Sequence, residues 1–252
     1  MPPQPTSIFA FIPRVNLFIP TPNCLMKKLL SLALVFVLGL AARAQGAPKA
    51  STLVTQLESC EAILQEFQGN SKLAIPADKL RQARGIIIIN QFQAGFFLGV
   101  KDGYGVILVR RPNGKWSVPA FLKAGDISLG LQFGGRSINT VMLLMDDETP
   151  RKLFKGRVNF GTDAKVVAGV RAAESQMVNQ SLPAGANVLV YSSQEGLLAG
   201  VALKTGYISP DDKANQTYYN TRYRLPELLY SDWVTPPADA KFLMDYVARI
   251  TR

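Results

Sequence analysis

Four cations crowd into seven residues at Arg151-Lys152-Leu153-Phe154-Lys155-Gly156-Arg157, around two apolar side chains. Guanidinium and ammonium groups pair with phosphates, and Leu and Phe can enter an acyl boundary, so this is a pattern for reversible interfacial binding. The same segment also fits a solvated helix face whose Leu153 and Phe154 turn into the core, and both readings stay open here. A second group, Arg110, Arg111 and Lys115, flanks the Asn113-Gly114 turn. A hairpin tip charged in this way can touch an anionic surface, or it can protect a strand edge against pairing with another chain. Lys79, Arg81 and Arg84 suit the end of a short helix, where cations complement the helix dipole.

Other chemistry is thin. The chain has 252 residues, two cysteines and no histidine, which excludes Ser-His-Asp and Cys-His nucleophile systems and any His-ligated metal. Two cysteines build neither a zinc site nor a disulfide framework. Gly125-Asp126-Ile127-Ser128-Leu129-Gly130 has the wrong spacing for a nucleophile elbow, and no Gly-Lys-Ser/Thr follows Gly156 to make a phosphate loop. The adjacent acids Asp146, Asp147 and Glu148 are placed for a helix start. The expectation is a binding protein without cofactor, not an enzyme.

The elements that position these cations begin after a leader. Met26-Lys27-Lys28, the apolar run Leu29 to Leu40 and Ala42-Arg43-Ala44 have the three parts of a secretory signal peptide, with residues 1–25 as an extension upstream of a start at Met26. The apolar run is shorter than the roughly 20 residues that a transmembrane helix needs. Residues 1–44 are therefore expected to be removed, leaving residues 45–252 as one domain, exported and periplasmic or envelope-associated. The leader holds four bases and no acids, so the mature chain keeps 24 bases against 18 acids, net +6. That balance favours anionic surfaces, and for an exported chain it points to lipid rather than nucleic acid.

Hydrophobic residues at 48% and charged residues at 18% give a globular composition. Leu53, Leu57, Cys60, Leu64 and Phe67 recur at helical spacing, and Pro76 suits the first turn of a second short helix. Ile86-Ile87-Ile88-Ile89 is a buried-strand run, Asn113-Gly114 marks a hairpin, and Ile127, Leu129, Leu131 and Phe133 alternate as the inward face of a strand. Val141 to Met145, Val158 to Phe160, Ala164 to Arg171, Asn187 to Tyr191 and Leu197 to Tyr207 are further strands. Thr235, Pro236 and Pro237 open a last helix with Phe242, Leu243, Tyr246, Val247 and Ile250 as its apolar stripe. Helix, many strands, then helix predicts α+β: a curled antiparallel sheet, barrel- or sandwich-like, with flanking N- and C-terminal helices.

Several motifs then fall in one order: Ala83-Arg84-Gly85, Gly103-Tyr104-Gly105, Trp116-Ser117-Val118-Pro119-Ala120, Gly169-Val170-Arg171, Tyr191-Ser192 with Gly196-Leu197-Leu198-Ala199-Gly200, and Asn215-x-x-Tyr218-Tyr219. From about Ile75 to Asn220 the chain resembles the SYLF domain, a family of yeast actin-patch lipid-binding proteins with exported bacterial relatives. The resemblance implies non-catalytic binding of anionic phospholipids, with Arg171 as a retained family cation. Actin, a partner of some eukaryotic members, is not expected for an exported bacterial chain. The sequence departs from the family at Ser193-Gln194-Glu195, where relatives often carry a base. Two alternatives accompany this reading: a lipid carrier or lipid-acting enzyme holding a lipid within the β-structure, and a structural envelope protein without ligand.

Overall fold

Helix α1 (Ala50–Gly69) turns Leu53, Leu57, Cys60, Ile63, Leu64 and Phe67 inward, the stripe its three- and four-residue spacing predicts. The computed structural model describes residues 48–94, 98–129, 135–159, 166–168, 186–193 and 207–252, all within one compact unit, Ala47–Arg252. Pro76 occupies the N-cap of α2 (Ala77–Gln82), and Ala83-Arg84 lead in extended form to strand β1 (Gly85–Ala94). Among the described residues, no helix is long and apolar enough to cross a membrane.

The remaining strands are β2 (Leu98–Val109), β3 (Ala120–Leu129), β4 (Gly135–Leu144), β5 (Val158–Asn159), β6 (Val166–Ala168), β7 (Val188–Ser192) and β8 (Tyr207–Pro210). They form one sheet in the order β5-β8-β3-β2-β1-β4-β7-β6. Every described pairing is antiparallel except β6 with β7. The fold is the expected α+β class, a curled antiparallel sheet with helices before and after it. Ile127 and Leu129 fall on β3, while Leu131, Phe133, Arg171 and the segment 197–206 lie outside the described residues.

Both faces of the sheet's centre are covered, which explains the unbroken isoleucine run. Side chains alternate along a strand, so a strand buried on both sides reads as continuously apolar. Ile86, Ile88, Val106, Leu108, Phe121, Val141 and Leu143 face α1 and the C-terminal helix. Ile87, Ile89, Ile107, Val109, Leu122, Met142 and Leu144 face the opposite layer, which includes Leu153, Leu225, Leu228 and Leu229. That second layer comes from elements the periodicity does not reveal. They are helix α3 (Thr149–Lys152), running into a 3₁₀ turn, Leu153–Lys155, and, after β8, α5 (Leu225–Tyr230); the helix between β8 and α5, α4 (Asp212–Tyr219), packs Ala214 on the α1 side instead.

The last helix, α6 (Ala238–Ile250), corrects two expectations. Pro237 is its N-cap residue, with no side-chain cap from Thr235. Its buried stripe is Ala240, Leu243 and Val247, and Phe242 stands 67% exposed. One position off the Leu243–Val247 line is about 100° around the axis, enough to carry the ring into solvent.

Candidate functional site

Segment 149–157 follows a turn held by Asp146. Asp146 accepts hydrogen bonds through Oδ1 from the backbone N–H of Thr149 at 2.7 Å and of Glu148 at 3.2 Å, a side-chain turn that leads into the helix, while the N-cap residue Glu148 makes no side-chain cap of its own. Leu153 is buried and Phe154 meets Tyr230 edge to face, with ring centroids 5.8 Å apart. Both apolar residues thus reach the core, and the cations stand around them. Arg151 is exposed, places its guanidinium 5.1 Å from the Tyr230 ring centroid and donates from Nε to the Asp147 carbonyl at 3.2 Å. Arg157, also exposed, stacks 3.7 Å from the Tyr207 centroid and donates from Nε to Asn159 Oδ1 at 2.9 Å. Lys155 is exposed between them, and Lys152 is half-buried.

This geometry suits anion recognition. A guanidinium stacked on a ring has its plane fixed but keeps edge N–H groups to fork onto a phosphate. The Tyr207 ring is itself held, because it lies across Gly125, where a Cβ would meet Tyr207 Cζ at 2.7 Å. Sequence reasoning missed Tyr207 and Tyr230 as platforms. They lie roughly 50 and 80 positions along the chain from their arginines, and no local pattern announces such a stack.

The hairpin cations are placed differently. Arg111 to Lys115 form a turn in which the Gly114 N–H bonds the Arg111 carbonyl at 2.8 Å, the Arg111 N–H bonds the Lys115 carbonyl at 2.8 Å, and Gly114 adopts φ +78°. This is the three-residue loop with a left-handed glycine that an Asn-Gly hairpin favours. Lys115 is exposed at its tip. Arg110 and Arg111, adjacent on an extended strand, leave on opposite sides. Arg110 lies 5.2 Å from the Trp116 centroid and donates from Nη2 to the Thr251 carbonyl at 3.0 Å, at the end of α6. Burial, then the neighbouring Arg84 guanidinium, pushes its pKa down. Arg111 donates from Nε to the Leu229 carbonyl at 2.9 Å, from Nη2 to the Leu228 carbonyl at 3.3 Å, and from Nη1 to Asp232. The two arginines clamp the C-terminal ends of two helices, where cations are favoured.

Replacing Arg111 with Met keeps the aliphatic stem and removes all three hydrogen bonds. The side chain is only 10% exposed, so the carbonyls at the end of α5 lose a partner in a largely dry site, and the expected loss is about 2–3 kcal/mol. Asp232 is 80% exposed and its ion pair adds little to that figure. Urea unfolding measures the change; a loss under about 0.5 kcal/mol would show that the clamp is idle.

The aromatic motif residues are structural. Trp116 Nε1 donates to Thr251 Oγ1 at 2.9 Å, and the Tyr219 hydroxyl donates to the Pro119 carbonyl. The buried Tyr191 hydroxyl has no hydrogen-bond partner among the described residues. Its pKa rises through burial and then the Asp78 carboxylate. Burial pushes the Cys60 thiol up to about 12, so Cys60 is an inert core residue. Among the described residues, no cluster of three Cys, Asp or Glu could hold a metal.

Fold and site together define a rigid α+β scaffold that presents cations on aromatic platforms. Residues 125–250 match the family model Ysc84, described as Las17-binding protein actin regulator, and the chain belongs to this family. It is 28% identical over 211 residues to the SH3 domain-containing YSC84-like protein 1 of Bos taurus, covering 81% of this chain and 61% of that protein. The human protein of that name is 28% identical over 212 residues, with the same coverage. Protein YSC84 of Saccharomyces cerevisiae is 28% identical over 166 residues, 65% of this chain and 36% of the yeast protein. The chain thus spans about three-fifths of the length of the vertebrate relatives. None of these relatives bears an enzyme's name. No solved structure matches the chain significantly.

Proposed function

We propose that this protein binds anionic phospholipid bilayers reversibly and without catalysis, through Arg151, Lys155 and Arg157 with Lys152 in the same segment and the hairpin-tip Lys115 helping. We propose further that it does so as an exported, envelope-associated chain whose leader ends at Ala44. The observation carrying the binding reading is the pair of arginines stacked on Tyr230 and Tyr207 with Lys155 exposed between them. Arg110 and Arg111 serve as helix clamps in this reading, because Arg110 donates from Nη2 to the Thr251 carbonyl and Arg111 spends its donors on the Leu228 and Leu229 carbonyls and Asp232. Arg171 enters the proposal only through the family motif.

Each Lys or Arg near an anionic surface contributes about 1 kcal/mol, so reversing three of them should weaken binding by roughly a hundredfold or more. Vesicle flotation of the Arg151→Glu, Lys155→Glu, Arg157→Glu chain against the parent tests this. The melting temperature should fall by only a few degrees, since exposed cation–π contacts are worth roughly 0.5–1 kcal/mol each. Parental binding should be absent on neutral vesicles and fade with salt, whose screening length is about 8 Å at physiological strength. A reversed chain that still floats at low salt would falsify the assignment of this patch.

A further inference from the structure

Trp233 stands 67% exposed beside Tyr223 at 36%, and their ring centroids are 5.4 Å apart. They bracket one short helix, Tyr223 two residues before α5 and Trp233 three residues after it. The backbone that presents them is fixed at both ends. The Arg224 N–H donates to Glu227 Oε2 at 3.0 Å, Ser231 Oγ donates to the Glu227 carbonyl at 2.6 Å, and the Trp233 N–H donates to Ser231 Oγ at 3.3 Å. Arg222 and Arg224, both exposed, flank Tyr223. The acid beside Trp233, Asp232, is neutralised by Arg111.

A large ring held in water has no use in the core, which Leu225, Leu228 and Leu229 already serve from the same helix. Trp and Tyr have an apolar body and one polar tip, and they concentrate at the boundary between headgroups and acyl chains. Two arginines at that depth meet lipid phosphates. The charges select the occupant: a second copy docking face to face by a two-fold axis would set Arg222 and Arg224 against their own counterparts, whereas an anionic bilayer complements them. The Arg151-to-Arg157 segment borders the same helix, because Arg151 and Phe154 both lie on Tyr230.

We propose that Tyr223 and Trp233 are the interfacial anchor of this protein, inserting among the headgroups of an anionic bilayer while Arg222 and Arg224 hold the phosphates. This rests on the bilayer-binding reading above and adds to it a depth and a second contact surface.

The chain's two tryptophans make the test direct, since Trp116 is 8% exposed and hydrogen-bonded while Trp233 is open to solvent. The parent chain is mixed with vesicles of phosphatidylglycerol and phosphatidylcholine in equal parts, with and without a bromine-labelled acyl chain. The expected result is a blue shift of emission, loss of acrylamide quenching and gain of bromine quenching, all missing in Trp233→Phe. Trp233→Ser with Tyr223→Ser should bind the same vesicles roughly tenfold or more weakly, the scale of an aromatic side chain withheld from an apolar phase. Flotation with no change at Trp233 would overturn the anchor alone and leave the cation surface standing. No flotation at all would overturn both. Shielding of Trp233 that grows with protein concentration without lipid would overturn the anchor in favour of a self-association surface.

Discussion

Gly105→Ala is expected to unfold the chain or to destabilise it by roughly 3 kcal/mol or more, the upper end of overpacking effects. A Cβ at Gly105 would meet the Ile88 carbonyl oxygen at 2.2 Å and Ile89 Cα at 3.1 Å. The obstacle is the backbone of the neighbouring strand, so no side chain can swing aside. Gly105 pairs with Ile89 in the middle of β1 and β2, and β4 and β3 hold the outer edges of those two strands. Gly103 has the same constraint, with the Asn90 carbonyl oxygen 2.6 Å from its Cβ position. Gly114→Ala is the control: nothing lies within 4 Å, and the cost is about 1 kcal/mol for an alanine held at φ +78°. Circular dichroism and urea unfolding read both variants. A Gly105→Ala chain within about 0.5 kcal/mol of the parent would mean that the strands part easily and that the glycine has another purpose.

Asn215→Ala should cost about 3 kcal/mol. Asn215 is fully buried, accepts from the Phe121 N–H at 2.7 Å and donates to the Phe121 carbonyl at 3.0 Å. Its amide thus acts as one residue of a neighbouring strand, just beyond the first rung between β3 and β8 at Leu122 and Pro210. Without it the Phe121 N–H is buried with no acceptor, a loss of about 1–3 kcal/mol, and the missing atoms leave a void. The Phe121 carbonyl still receives the Asp211 N–H at 3.0 Å, so the loss falls on the amide alone. Hydrogen exchange at the Phe121 amide should accelerate in the variant in step with the stability change. Unchanged protection there would refute the assigned role.

These two residues show why motif and mechanism separate in this chain. Gly103-x-Gly105 and Asn215 are visible as parts of a recognisable pattern, yet their work is to let strands close and to finish a sheet rung. The fold class was legible because periodicity is local: the α1 stripe and the isoleucine run each announce themselves within a few residues. Helices α4 and α5 carry no strong apolar period, although Asp211 accepts from the Ala214 N–H at 3.1 Å and Asn220 ends α4 at φ 47°. An Asp three residues before Ala214 and an Asn after two tyrosines were cap signals available from sequence. Phe242 leaves the expected stripe because two adjacent apolar residues compete for one line, and only tertiary packing decides between Leu243 and Phe242. The cation cluster 151–157 was legible as composition. Its tyrosine platforms and the inward clamps of Arg110 and Arg111 were not, since each joins residues far apart in sequence.

The placement of those two clamps orders the birth of the molecule. Strands β1, β2 and β3 follow one another in the chain and lie side by side, so the sheet's centre can assemble while the ribosome is still working. Arg110 and Arg111 emerge with that hairpin, but their acceptors lie at Thr251 and at Leu228 and Leu229, up to 141 positions later. Until those acceptors are made, two guanidinium groups lack their partners, and the sheet face opposite α1 waits for Leu225, Leu228 and Leu229 to cover it. The two arginine latches are accordingly among the last contacts this chain can close, long after the strands that carry them.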